Sequence, residues 1–216
     1  MVELRKRKAP AQPPNPERRG KRTHLPAAAS KSPAQRADDT SHSAPSSLNL
    51  KVGATIELDN FGGDFETNDG NKTTLRILTN SSKNGIVIFI YPRASTPGCT
   101  KQACLFRDNY ETLADKGLSI YGLSADSPKA NTTFKMKQRL PFTLLCNPTY
   151  TLIAALGLKK SPKGTIRGIV ALDKEGKVLL TQAGGPDATI EAARKLAAGL
   201  ESENSEPASL PAKGSQ

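Results

Sequence analysis

The apolar run Ile86-Val87-Ile88-Phe89-Ile90-Tyr91 is too short to span a membrane and too rich in β-branched and aromatic residues for a helix. Val87 to Tyr91 is therefore predicted as a buried central strand, ended by Pro92. Ser95-Thr96-Pro97-Gly98 then has turn composition, and from Cys99 the rhythm changes. Apolar side chains recur at helical spacing at Cys99, Ala103, Phe106, Tyr110 and Leu113, with Lys101, Arg107, Asp108 and Glu111 on the opposite face.

The same reading extends outward from this centre. Ala54 to Leu58 and Lys72 to Leu78 read as short strands, with Asn68-Asp69-Gly70-Asn71 as the turn chemistry between them. Leu118 to Ala125 is a second apolar strand, and Ser127-Pro128 opens a helix to about Arg139, with a hydroxyl N-cap and Pro at the first position. Phe142 to Cys146 is a third strand, and Pro148 to Leu156 a short helix closed by Gly157. Thr165 to Leu172 and Lys177 to Thr181 form a hairpin, and Pro186 to Leu200 a final amphipathic helix. Parallel strands joined by helices, with an antiparallel hairpin late, predict an α/β fold of three layers.

Composition divides the chain. Residues 1–47 hold 7 of the 16 prolines, 10 Lys+Arg against 4 Asp+Glu, and no aromatic residue. Such a segment cannot bury enough apolar surface to offset its ordering entropy, so a disordered basic tail is expected. The globular domain is expected over 48–200, and 201–216 as a flexible polar end. Two basic clusters, Arg5 to Lys8 and Arg18 to Arg22, have the spacing of a two-part nuclear address, which makes an import receptor a partner and the nucleus the expected location. Weak nucleic-acid contact by the tail is a second reading. No apolar run reaches membrane-spanning length and no secretory h-region follows the N-terminal charges, so neither a span nor a secretory signal is expected.

Three cysteines are too few and too odd for a disulfide framework; they suit a reducing compartment and a catalytic use of sulfur. Cys99 falls in the first turn of its helix, with Thr96 as N-cap and Pro97 at the first position. Unpaired backbone N–H groups and the positive end of the helix dipole there favour thiolate over thiol. Both histidines, His24 and His42, lie in the tail, which excludes a Cys–His pair within the domain, and no metal constellation is visible. Cationic help must come from arginine, with Arg93 and Arg107 as nearby candidates.

Pro92-Arg93-Ala94-Ser95-Thr96-Pro97-Gly98-Cys99 matches the pattern P-x-x-x-T-x-x-C. In this it resembles the peroxiredoxin family. The longer stretch TPGCTKQACLFRDNY, with a second Cys five residues on, is similar to the Q, or bacterioferritin-comigratory, subgroup, and the basic tail to its fungal nuclear thiol peroxidases. The resemblance covers about Leu48 to Ala198. It implies a thioredoxin-like fold with an added N-terminal hairpin, no cofactor, and a monomer that takes hydroperoxides as substrate and thioredoxin as reductant.

It also implies roles. Cys99 is the peroxidatic sulfur and Cys104 the resolving one. Arg167, in TIRGIVALDKEGK, is the arginine that binds peroxide, together with the Thr96 hydroxyl and the Cys99 N–H, while Pro92 walls the sulfur from water. Cys104 lies about 140° around the helix from Cys99, outside the apolar stripe. Cys146 departs from the pattern, since relatives commonly carry a hydroxyl residue there; it reads as a buried structural thiol, with an alternative resolver as the second reading. A peroxide sensor using the same sulfur, and a chromatin-associated binding protein on this fold, remain open.

Overall fold

The structure is a computed structural model and describes residues 50–203, which fall in the second of two compact units, Ser43–Gln216. The tail with its two basic clusters, and the segment after Glu203, lie outside the described residues. The elements in order are β1 (Phe65–Thr67), β2 (Lys72–Thr73), α1 (Leu75–Asn80), β3 (Gly85–Ile90), α2 (Pro97–Asp108), α3 (Tyr110–Ala114) and β4 (Leu118–Ser124). There follow α4 (Pro128–Gln138), β5 (Thr143–Cys146), α5 (Thr151–Ala155), β6 (Gly168–Leu172), β7 (Val178–Ala183) and α6 (Pro186–Glu203). No helix among them is long and apolar enough to cross a membrane.

The strands form one sheet in the order β2-β1-β5-β4-β3-β6-β7. β3 pairs parallel with β4, and β4 with β5, while β6 runs antiparallel to β3 and β7 antiparallel to β6. Strand alternation sends side chains to two cores. Val87, Phe89 and Tyr91 meet Cys99, Ala103 and Phe106 of α2, Phe134 of α4, and Ile190, Ala193 and Ala197 of α6. Ile86, Ile88 and Ile90 face the other way, onto Leu75 and Leu78 of α1 and Leu152 and Ile153 of α5. Helices on both faces of a mixed sheet are the three layers predicted, in a thioredoxin-like arrangement. At Gly122, in β4, a Cβ would sit 2.7 Å from both Phe89 and Leu144, so close packing of the first core requires glycine there.

Three expectations need correction. The stretch Lys72 to Leu78 is strand only at Lys72 and Thr73. Thr74 then caps α1, its hydroxyl accepting from the Ile77 N–H at 3.4 Å, and Leu75 and Leu78, three apart, bury one helical face. Ala54 to Leu58 is not the partner strand of the hairpin. Ile56 and Leu58 are buried, but Thr55 bridges only to Lys177, and the hairpin across Gly70 is closed instead by Phe65–Thr67. The helix carrying Cys99 also stops early. Asn109 ends α2, its side-chain amide turning back to donate to the Leu105 carbonyl at 2.7 Å, and α3 restarts at Tyr110.

Topology assembles one end of the sheet. Because β6 is antiparallel to β3, its first residue, Gly168, pairs with Ile90 at the carboxyl end of β3. Because β7 is antiparallel to β6, its last residue, Ala183, also pairs with Gly168. The start of α2, the residue before β6 and the start of α6 are thereby brought to one place.

Candidate active site

Cys99 is 1% exposed and lies in the first turn of α2, among the N–H groups that have no acceptor within the helix. Pro97 stands at the first helical position, as predicted. Thr96 occupies the N-cap position with extended φ of −85°, but its side chain makes no capping bond. Its hydroxyl instead donates to the Arg93 carbonyl at 2.9 Å. With its hydrogen committed, the Thr96 oxygen offers only lone pairs to whatever binds at the helix start.

Arg167, half-buried just before β6, supplies the cation. Its Nη2 donates to Cys99 Sγ at 3.4 Å, and its Nη1 to Gln102 Oε1 at 2.5 Å. Gly98 makes room for this approach, since a Cβ there would lie 3.2 Å from Arg167 Nη2. The other arginine candidates are elsewhere. Arg93 is exposed, and Arg107 is spent on Asp108 and on the Gln138 carbonyl at the end of α4, which Nη1 reaches at 2.8 Å. Pro92 is exposed just after β3.

Cys104 lies further along α2, half-buried, with its thiol 3.6 Å from Gln138 Oε1 of α4. All three cysteines are free thiols. Cys146, at the end of β5, is fully buried, and burial pushes its thiol up from the ordinary value. It accepts from Asn131 Nδ2 at 3.1 Å.

The apolar rhythm did not disclose a polar network beneath the turn. Tyr91 Oη donates to Asn131 Oδ1 at 2.8 Å, and Asn131 also reaches the Ser124 hydroxyl at 3.2 Å. Burial pushes the Tyr91 phenol well up. Asp126 accepts the Ala94 N–H at 2.7 Å, fixing the loop in which Ser95 takes φ of 61°. Gln102 was also missed, although a signal existed: it is a polar residue one turn from Cys99, inside the stripe shared with Ala103 and Phe106. A cavity of about 360 Å³, lined in part by Lys83, Tyr110, Ser119 and Thr143, lies at the amino ends of β4 and β5, away from Cys99.

This geometry can present a buried sulfur, a guanidinium and a hydroxyl acceptor to a small polar molecule. Comparison with known proteins places it. Residues 58–180 match the model of the AhpC/TSA family. The chain is 42% identical over 115 residues to peroxiredoxin bcp1 of Schizosaccharomyces pombe, covering 53% of this chain and 59% of that protein. It is 37% identical over 145 residues to the chloroplastic peroxiredoxin Q of Populus jackii, covering 65% of this chain and 68% of the relative. The bacterioferritin comigratory protein of Xanthomonas campestris, solved in a study of its alkyl peroxide reduction, superposes with a TM-score of 0.57 at 28% identity. That match covers 68% of this chain and 97% of the Xanthomonas chain. The matched segment thus spans under two thirds of the fission yeast protein.

Proposed function

The chain belongs to the AhpC/TSA family and, within it, to the peroxiredoxins of the Q and bacterioferritin-comigratory kind, which are thiol peroxidases; from that premise we propose that it reduces hydrogen peroxide and organic hydroperoxides at Cys99. The observation that carries the reading is Arg167 Nη2 at 3.4 Å from Cys99 Sγ in the first turn of α2.

The thiolate attacks the distal oxygen of R–O–O–H along the O–O axis. An S–O bond forms, the O–O bond breaks, and the leaving alkoxide takes a proton, giving sulfenic acid and water or alcohol. Thr96 Oγ1 accepts the hydroperoxide O–H, while the Cys99 N–H and Arg167 donate to the oxygens as charge passes to the leaving group. Pro92, exposed just after β3, forms the outer wall. These donors act on the transition state, where charge passes to the leaving oxygen.

Cys104 is the resolving thiol in this proposal. Its sulfur attacks the sulfenic acid, water leaves, and a Cys99–Cys104 disulfide results, to be reduced by a thioredoxin-type dithiol. Alkyl peroxide reduction by the Xanthomonas relative supports including organic hydroperoxides. Delivery to the nucleus by Arg5 to Lys8 and Arg18 to Arg22 rests on the charge pattern alone.

Steady-state peroxide consumption with a thioredoxin system tests the whole reading. Wild type should turn over and Cys99→Ser should fall to background. Substantial turnover by Cys99→Ser would sink the assignment.

A further inference from the structure

Arg167 is oriented by a partner that is itself oriented. Gln102 is fully buried on α2, and a buried primary amide must satisfy both of its ends. A guanidinium can only donate, so Oε1 must be the end that faces Arg167 Nη1. The Gln102 NH₂ group then points the other way, and its acceptor is Thr189 Oγ1 at 3.1 Å. Thr189, also fully buried, passes its own hydrogen to the Pro186 carbonyl at 2.8 Å in the first turn of α6. The polarity of this chain is fixed at every link: Cys99 Sγ accepts from Arg167, Gln102 accepts from Arg167, Thr189 accepts from Gln102, and Pro186 accepts from Thr189.

We infer that Thr189 is a positioning residue for the peroxide reaction, acting through Gln102 to hold the Arg167 guanidinium at Cys99. The inference rests on the proposed role of Arg167. Without the Thr189 hydroxyl, the Gln102 amide loses its only acceptor in this chain of bonds. A buried unpaired NH₂ is costly, and rotation of the amide would turn N–H groups toward a guanidinium that can only donate. Arg167 would then keep its charge and lose its aim. Misplacement of a charge-stabilising group by a fraction of its hydrogen-bond length is felt in the rate far more than in stability. Topology explains why a residue 90 positions from Cys99 can do this, since β7 returns the chain to the carboxyl end of β3 and α6 begins there.

The test measures the second-order rate of Cys99 sulfenic acid formation with hydrogen peroxide, trapped by dimedone, alongside urea unfolding midpoints. Thr189→Val, similar in shape but without the hydroxyl, should slow the reaction about tenfold, and Thr189→Ser should stay within about twofold of wild type. Thr189→Ala serves in the same way if the valine variant folds poorly. The decisive arm repeats the valine substitution in an Arg167→Ala background. There it should have no further effect on the rate, because the group it positions is gone. A structural role would slow both backgrounds alike, and that result, or an unchanged rate in Thr189→Val, would overturn the inference and leave the active-site reading standing. An unchanged rate in Arg167→Ala alone would overturn the active-site reading, and the Thr189 inference with it.

Discussion

At the scale of single residues, the reaction is predicted to depend on a few atoms. Thr96→Val keeps the shape and removes the acceptor for the hydroperoxide O–H, so the rate of Cys99 oxidation should fall roughly 10²-fold. Thr96→Ser should retain most of it, and stopped-flow oxidation of the reduced protein distinguishes the two. Gly98→Ala is a finer probe. Its Cβ would press Arg167 Nη2 at 3.2 Å, a contact the long side chain relieves only by shifting away from the sulfur. Peroxidase rate should drop several-fold (about 3–10-fold by analogy with small misplacements) while the urea midpoint hardly moves. Cys146 and Tyr91 act on stability instead. Burial raises both from their ordinary values of 9.0 and 10.0, so the native state holds these protons more tightly than the unfolded chain. Their contribution is intact below those ordinary values and is lost progressively as pH rises above them toward the raised native-state values. Cys146→Ala should therefore flatten the fall in urea midpoint between ~pH 8 and ~pH 10 and leave turnover near wild type; an unchanged alkaline decline would refute the linkage.

At the scale of elements, the proposed resolving step conflicts with the helix that carries both thiols. Cys99 and Cys104 both lie within the continuous α2, Pro97–Asp108. Five residues along a helix separate Cα atoms by about 7.5 Å in rise alone, whereas a disulfide needs roughly 7 Å or less with converging Cβ vectors. Their surroundings diverge as well, one sulfur facing Arg167 and the other Gln138 of α4. Formation of the bond must unwind the first turns of α2 and dismantle the N–H cluster around Cys99. The oxidised protein should show mass-spectrometric evidence of a Cys99–Cys104 link together with faster amide exchange from Gly98 to Arg107. A link formed with protection unchanged would show that the unwinding argument is wrong, and a link only to Cys146 would remove Cys104 from the resolving role.

The conflict was visible in the sequence, because spacing along a helix is a property of the pattern. Most of the sheet was legible for the same reason: β3, β4, β5, β6 and β7 are apolar runs near the predicted bounds. Much of what escaped was decided by partners distant in sequence. Ala54 to Leu58 has the alternation of a strand but meets only the short stretch Gly176 to Val178 at the start of β7, through a single bridge from Thr55 to Lys177. Leu75 to Asn80 is too short for its helical period to outweigh the preceding strand-like residues. Cys99 and Thr96 could be named from the helix start and its motif, and Arg167 from the family resemblance. Gln102 left a trace, a polar residue inside the apolar stripe of α2, whereas Asn131, Asp126 and Thr189 left none, since each matters through a hydrogen bond across the fold.

At the scale of the molecule, the basic tail and the domain should be separable in function. Residues 1–47 carry 10 Lys+Arg against 4 Asp+Glu, and every residue assigned to the chemistry lies between Tyr91 and Thr189. Deleting 1–47 should leave the rate of Cys99 oxidation within about twofold, because charges screened over about 8 Å at physiological salt barely influence an uncharged substrate such as hydrogen peroxide. The same deletion should disperse the protein from the nucleus. A nuclear distribution that survives it would refute the address. If the tail also holds nucleic acid, full-length protein should bind duplex DNA with an affinity that falls steeply and linearly in log–log form with salt, with a slope of roughly −0.9 per neutralised phosphate. Substituting Arg5 to Lys8 alone should then shallow that slope by up to about 3–4. A slope indifferent to both clusters would leave the tail as an address only.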